Sequence, residues 1–370
     1  MRSIAVVTAL ALTLSAAPAV ADTVPHLPAP SSRQPVGSTS LHLKDTSRPD
    51  PWVPSVNARE LMVTLFYPTS TRSGPKAQYV TPAESESLLT SSGVTTVPPD
   101  LLSRTRIHSV RDARPAGLRH SLPLVVLSPG FTKPRATLTA LAEDLASHGN
   151  VVALVGHTYE DRATSFPDGR VTPCAACEVD HLPGFWEKLS RGRAADVSFV
   201  LDQLTAPRPS WPAAELIDPA RIAMGGHSAG GGSTTTTMLA DPRIRAGFDI
   251  DGRTYIPLPD SGLARPFLFL GKRVGAAPAC ADPSWKQDWP RLTGWKRWLS
   301  VTGAQHASFT DVGLFADQLG VDLGADVRSE RVQAITRTYV RAFLDRHLLG
   351  RHQPLLERPS PHHPELTFCA

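Results

Sequence analysis

A chain of 370 residues with 41% hydrophobic and 19% charged side chains has ample material for a buried core, which excludes a globally disordered protein. Its length suits one large domain or two modest ones. Lys and Arg (38) nearly balance Asp and Glu (34), and the net +4 is spread along the chain; no concentrated basic stripe is present for a nucleic-acid partner.

The N-terminus reads as an export signal. Arg2 gives a positive start, residues 4–14 an apolar run, and Ala19-Val20-Ala21 a small-residue cleavage site before Asp22. Thr8, Thr13, Ser15 and Pro18 interrupt the apolar run, which falls short of the ~20 residues of a membrane span. The mature chain is therefore expected to be secreted and soluble. Residues 22–38, rich in Pro and Ser, are expected to form a poorly ordered leader.

The main domain is expected over residues 39–350. "TSLHLKD" and "ELMVTLFYP" read as strands, the first by alternation and the second by its density of β formers. Residues 74–120 form a proline-punctuated excursion around one helical stretch, "PAESESLL", an insertion that could cover a site like a lid. "LPLVVLSPG" is an apolar strand ending in a turn. "TLTALAEDLASHG" has helical spacing at Leu138, Leu141 and Leu145, with Gly149 at the C-cap position. "VVALVGH" is a second buried strand, "RGRAADVSFVLDQL" an amphipathic helix, and "RIAMGGH" a third strand. "IRAGFDID", "RPFLFLGK" and "RWLSVTG" are further strands, and "SERVQAITRTYVRAFLDRHLLG" a long terminal helix before a tail over 351–370. Buried strands alternating with amphipathic helices predict an α/β fold whose mostly parallel sheet is covered on both faces.

Export permits disulfides. The four cysteines allow three pairings; a local Cys174–Cys177 bridge and a Cys280–Cys369 staple of the tail are preferred. No strand leads into "CAAC", which argues against a redox motif, and no second C-x-x-C completes a zinc site, so no metal is expected.

The chemistry concentrates in "RIAMGGHSAGGGSTTTTMLADP". A phosphate-cradling loop would place lysine where Gly231 stands, and no lysine or arginine lies between Arg221 and Arg243. The dinucleotide pattern G-x-G-x-x-G is absent from the run, and a linker would not follow a buried strand. Gly226-His227-Ser228-Ala229-Gly230 does match G-x-S-x-G, which lifts a serine hydroxyl clear of the backbone on a strained strand-to-helix turn. Ser228 is the candidate nucleophile. The threonine run after it is unusual for a helix, because β-branched side chains lose χ1 freedom there.

This motif calls for an acid and then a histidine later in the chain. "FDIDG" offers Asp249 and Asp251, two apart and so on one face of a strand; Asp251 is preferred because it stands before Gly252 at the strand's carboxyl end, with Asp282 and Asp288 behind it. His306 in "GAQHASF" is the only histidine between the acid and the terminal helix, whereas His347 is expected on that helix's solvated face. The N–H groups of Ala229 and of Phe131, in the turn "LSPGFT", are the candidate oxyanion donors. His157 and Tyr159, after "VVALVGH", are candidates for lining the substrate pocket.

In "VTLFYP", "LPLVVLSPGF", "LAEDLASHGNVVALVGH", "GGHSAGG", "FDIDG" and "GAQHASF", in this order over most of residues 60–345, the chain resembles the α/β-hydrolase superfamily. Within it the chain is similar to the platelet-activating factor acetylhydrolases and to related secreted bacterial esterases and lipases. The resemblance implies an α/β-hydrolase fold and supports Asp251 and His306, since the family's acid follows a short strand and its histidine sits in such a loop. The chain departs from the family in having Pro129-Gly130 where His-Gly is common, and small Ala229 where a bulky residue often follows the nucleophile. The expected function is a secreted serine carboxylic-ester hydrolase acting on lipid or short-acyl esters without a cofactor. A lipase or cutinase-like polyester hydrolase is the alternative, a peptidase uses the same triad, and a non-catalytic binding protein of the same fold is the outside case. A monomer with a small-molecule or lipid ester substrate, and transient contact with lipid surfaces, completes the expectation.

Overall fold

The computed structural model describes residues 24–273 and 280–369; the export signal expected over residues 1–21 lies outside the described residues. In chain order the elements are β1 (Val36–Asp45), β2 (Arg59–Pro68), α1 (Pro82–Ser91), β3 (Val110–Arg111), β4 (Leu122–Ser128), α2 (Thr139–Ser147) and β5 (Val151–His157). A short hairpin follows, β6 (Thr164–Ser165) and β7 (Val171–Thr172), then α3 (Phe185–Thr205), β8 (Ile217–His227), α4 (Ala229–Gly232), α5 (Thr234–Ala240) and β9 (Ile244–Ile250). The chain ends through β10 (Phe267–Lys272), α6 (Pro283–Asp288), β11 (Lys296–Val301), α7 (Asp311–Leu319), α8 (Ser329–Leu349) and β12 (Leu366–Phe368).

Among the described residues, ten strands form one sheet in the order β12-β11-β10-β9-β8-β4-β5-β2-β1-β3. The run from β11 to β5 is parallel throughout, with antiparallel β12 at one edge and the antiparallel β1–β2 pair toward the other. This is the mostly parallel sheet of the α/β-hydrolase fold. Every residue of β4 and β5 is buried, as a parallel strand covered on both faces requires. Period-2 alternation splits β4 between two cores: Val125 and Leu127 pack with Leu141 and Leu145 of α2 and Tyr339 and Phe343 of α8, while Leu124 and Val126 pack with Val197, Leu201 and Leu204 of α3. From β4 the chain passes to β5 on one side and returns to β8 on the other. The carboxyl ends of β4 and β8 therefore flank the point where strand order reverses, where α/β sheets open a crevice.

One expectation is corrected. The leader over 22–38 is not loose where it is described: Leu27 is buried among Tyr79, Leu88 and Leu314, Ser31 N–H donates to Asp144 Oδ1 at 2.7 Å, and β1 already begins at Val36. Its prolines and serines leave Leu27 free to fill an apolar site, and composition alone hides that partner. The 74–120 excursion carries its expected helix as α1. Thr81 and Glu84 form a capping box at the start of α1, and Leu88, Leu89, Leu101 and Leu102 pack against Phe315 of α7.

Both cysteine pairs are bonded, Cys174 to Cys177 and Cys280 to Cys369. The second joins the tail to the sheet edge, where β12 pairs with β11. The threonine run forms α5, and two of its four hydroxyls find carbonyls one turn back: Thr234 Oγ1 donates to Gly230 O at 3.2 Å and Thr237 Oγ1 to Ser233 O at 2.8 Å. Burial against the sheet and α3 then outweighs the lost rotamer freedom. Among the described residues, no helix is long and apolar enough to cross a membrane.

Candidate active site

Gly226 of β8 stands opposite Ser128 of β4 and Asp249 of β9, and the strand ends one residue later. Ser228 then turns the chain with φ 55° and ψ −124°, a conformation an L-residue holds only under constraint. Its N–H donates to Ile250 O at 2.9 Å and its carbonyl accepts from Gly232 N–H at 2.9 Å, so the turn is fixed from both sides. The glycines permit this geometry by close approach: a Cβ on Gly226 would lie 2.1 Å from Ser128 O, and one on Gly230 would lie 2.0 Å from the same atom. Ala229 is the first residue of α4, and its N–H has no acceptor within that helix.

Across from this elbow, Ser128 is followed by the turn Pro129-Gly130-Phe131. A Cβ on Gly130 would come 3.3 Å from Ser228 Cβ and 3.4 Å from His227 Nδ1, which places the turn directly against the elbow. Lys133 N–H donates to Gly130 O at 3.2 Å, and Thr132 N–H to Glu160 O at 2.9 Å.

Asp251 lies beyond the end of β9, with φ 51°. Its Oδ1 accepts from Lys272 N–H at 2.8 Å, and its Oδ2 accepts from His306 Nδ1–H at 2.6 Å. Burial would raise the Asp251 pKa, but the hydrogen bond and charge interaction with His306 hold it below the usual carboxylate value. His306 opens a short 3₁₀ turn, with 45% of its side chain exposed. With Nδ1–H committed to the carboxylate, the neutral ring keeps its lone pair on Nε2.

Alternation could not separate Asp249 from Asp251, but their surroundings do. Asp249 is fully buried, accepts from Gly252 N–H at 2.8 Å and from Trp285 Nε1–H at 3.2 Å, and lies where a Cβ on Gly231 would meet its Oδ1 at 2.0 Å. Burial and the neighbouring Asp251 charge push its pKa well up. Asp282 caps α6, and Asp288 accepts from Leu258 N–H. His347 does not lie on a solvated face: its ring packs 4.5 Å from that of Trp295, and burial lowers its pKa to about 4.

The family model described as "Platelet-activating factor acetylhydrolase, isoform II" matches residues 53–169, a span that ends before Ser228. A probable 1-alkyl-2-acetylglycerophosphocholine esterase of Arthroderma benhamiae is 28% identical, over 95% of this chain and 96% of that protein. A platelet-activating factor acetylhydrolase of Bos taurus is 25% identical, over 61% of this chain and 57% of that protein. The solved structure of a ferulic acid esterase from Streptomyces cinnamoneus is 43% identical, with a TM-score of 0.84, and the match covers 94% of this chain and 100% of that one. The chain belongs to the α/β-hydrolase family of esterases.

In this esterase Ala229 borders an aromatic wall. It clusters with Phe185 and Leu189 of α3, and Phe131 and Trp186 pack against that cluster. The Phe131 ring meets Phe185 at 5.3 Å and Trp186 at 5.5 Å, and Trp186 stacks on Tyr255 at 4.6 Å with an interplanar angle of 8°. A residue larger than Ala229 would intrude on this wall.

His157 is corrected as a pocket residue. It is buried, and both ring nitrogens are engaged, Nε2 with Ser128 Oγ at 2.9 Å and Nδ1 with Asp196 Oδ2 at 2.7 Å. Tyr159, at φ 66°, is half-buried, with Asp50, Arg170, Glu60 and Arg59 as its charged neighbours. Sequence reasoning passed over His227, whose Nε2–H donates to His306 O at 2.8 Å and whose ring lies 4.4 Å from that of His306. Its place inside G-x-S-x-G was the available signal. Burial and the adjacent His306 lower its pKa to about 3, so His227 is neutral at physiological pH.

The unfolded chain protonates His227 near pH 6.5, whereas the folded esterase resists until about 3, so stability falls as pH drops through that window. Urea unfolding at pH 7 and pH 5 should show a wild-type loss about 2 kcal/mol larger than that of His227→Gln. Equal losses in the two proteins would refute the buried neutral imidazole.

Proposed function

We propose that this esterase is a secreted serine hydrolase in which Ser228 attacks the ester carbonyl. His306 Nε2 takes the hydroxyl proton as the Ser228 Oγ–carbon bond forms, and Asp251 orients the ring and stabilises its charged form. The N–H groups of Ala229 and Phe131 receive the oxyanion. Collapse of the tetrahedral adduct expels the alcohol, protonated by His306, and leaves an acyl-Ser228 ester. Water then attacks that ester, giving its proton to His306, and the carboxylic acid leaves as Ser228 regains its hydroxyl hydrogen.

The observation that carries this reading is the 2.6 Å His306–Asp251 hydrogen bond beside a strained Ser228 elbow. A fluorophosphonate probe tests it: the label should map by mass spectrometry to the Ser228 peptide. An unlabelled, folded protein would favour a non-catalytic binding protein of this fold. Secretion is supported by the signal-like N-terminus and by the two disulfides.

For the substrate, the acetylhydrolase relatives support a lipid or short-acyl ester. The wall of Phe131, Trp186 and Tyr255 beside Ala229 favours a second reading, a flat aromatic acyl group, in line with the name of the Streptomyces cinnamoneus esterase. A p-nitrophenyl ester series from acetyl to palmitoyl, run beside a phospholipid with a short sn-2 acyl group and methyl ferulate, separates them. Hydrolysis of the phospholipid with a short-acyl optimum supports the first, and preference for methyl ferulate the second. Preference for emulsified long-chain triglyceride or polyester film would overturn both in favour of a lipase or cutinase-like enzyme. The 74–120 segment packs on α7, just after the His306 turn, and is the proposed lid.

A further inference from the structure

Behind the oxyanion turn lies a second Ser–His–Asp chain. Ser128, His157 and Asp196 are all buried, with Ser128 Oγ 2.9 Å from His157 Nε2 and His157 Nδ1 2.7 Å from Asp196 Oδ2. The proton positions follow from the partners. Burial alone would raise the pKa of Asp196, but Arg59 and the His157 hydrogen bond hold it well below the usual value, so it is a carboxylate that accepts Nδ1–H. His157 Nε2 must then accept from Ser128 Oγ–H. That leaves the Ser128 oxygen free to accept a further hydrogen bond, which it receives from Arg193 Nη1 at 3.1 Å.

Arg193 is also buried, and Ser128 is only one of its partners. Its Nε donates to Glu160 Oε2 at 2.8 Å, and its Nη1 donates to Pro129 O at 2.5 Å. Glu160 is fixed in turn by Trp52 Nε1–H at 2.9 Å, and its own backbone carbonyl accepts the Thr132 N–H. The network thus grips the turn on both sides of Phe131, at Pro129 and at Thr132. Buried ion networks are weak stabilisers compared with well-packed apolar residues, so stability alone gives little reason for this one. Fixing a peptide N–H within a few tenths of an ångström of a developing oxyanion does give a reason.

We infer that Arg193 is a positioning residue for the oxyanion turn, oriented by Glu160 and by the sealed Ser128–His157–Asp196 chain. The inference rests on the reading of Ser228 as nucleophile and Phe131 as oxyanion donor. A displaced oxyanion donor weakens the transition state and leaves ester binding nearly unchanged.

The test uses Arg193→Met in the full secreted protein, with p-nitrophenyl acetate as substrate and an alkyl boronic acid, which forms a tetrahedral adduct on the nucleophile, as inhibitor. The expected result is a fall in kcat of about 10- to 100-fold, with KM within about two-fold and boronate affinity weakened in parallel with kcat. An unchanged kcat, or a loss carried wholly by KM, overturns the inference. Should Arg193→Met fail to fold by near-ultraviolet circular dichroism, Ser128→Ala removes only one of the arginine's acceptors. It should lower kcat by about five-fold at constant KM, the effect of losing one ordinary hydrogen bond, and an unchanged kcat again overturns the inference. Ser228→Ala distinguishes the two levels. If that variant stays active and labelled by a fluorophosphonate, the underlying reading fails; if it is inactive while kcat is unchanged in folded Arg193→Met, only the positioning role fails.

Discussion

Ser228→Ala is expected to lower kcat on p-nitrophenyl acetate by about 10⁴-fold or more, because no other group in the elbow can form the acyl intermediate. The geometry makes this substitution a clean one. Ser228 lies at φ 55°, and its backbone is tied to Ile250 O and Gly232 N–H, so alanine enters the same turn and removes only the hydroxyl. KM should change little, since the proposed binding surface, the turn and the aromatic wall, keeps all its atoms. The molecule also contains a rival. Ser128 Oγ lies 2.9 Å from His157 Nε2, but Ser128 is fully buried and its oxygen already serves Arg193. Activity of Ser228→Ala within ten-fold of wild type would refute the assignment and turn attention to Ser128. Residual activity near the expected floor would come from the oxyanion donors acting on water.

The features that could be read from the sequence are those encoded locally. Continuous apolar runs gave the buried strands, and helical spacing with Gly149 as terminator gave α2. G-x-S-x-G placed the elbow because the clearance around Ser228 demands glycine at particular positions. What failed depends on contacts far apart in the chain. Arg193 and Asp196 stand three apart in an amphipathic helix, a spacing that normally reads as a solvated ion pair. Their partners, Arg59, His157, Glu160 and Pro129, come from other segments, and only the tertiary fold turns the pair inward. His157 was misread for the same reason. Position at a strand's carboxyl end suggests a pocket residue, and nothing local announces Ser128 and Asp196 on either side of it. The choice between Asp249 and Asp251 shows a different limit. Alternation applies only while the strand continues; β9 ends at Ile250, and the positive φ of Asp251 breaks the phase.

That break yields the second large effect. Asp251→Asn is expected to lower kcat by about 10⁴-fold, although asparagine is nearly the same size as aspartate. Lys272 N–H donates to Asp251 Oδ1, so the asparagine oxygen will take that position and keep the bond. The amide nitrogen is then turned toward His306 Nδ1, where the carboxylate Oδ2 now stands. A donor at that site forces the imidazole to accept through Nδ1 and to carry its proton on Nε2. In that tautomer His306 cannot take the hydroxyl proton of Ser228. Near-wild-type KM and fold should accompany the loss, because no packing atom is removed. Asp249→Asn is the matched comparison. Asp249 serves Gly252 and Trp285 rather than His306, so its variant should lose stability in urea but keep kcat within about ten-fold. Were the two kcat losses reversed in order, the acid role would pass to Asp249, and the short His306–Asp251 bond would be left without a catalytic part.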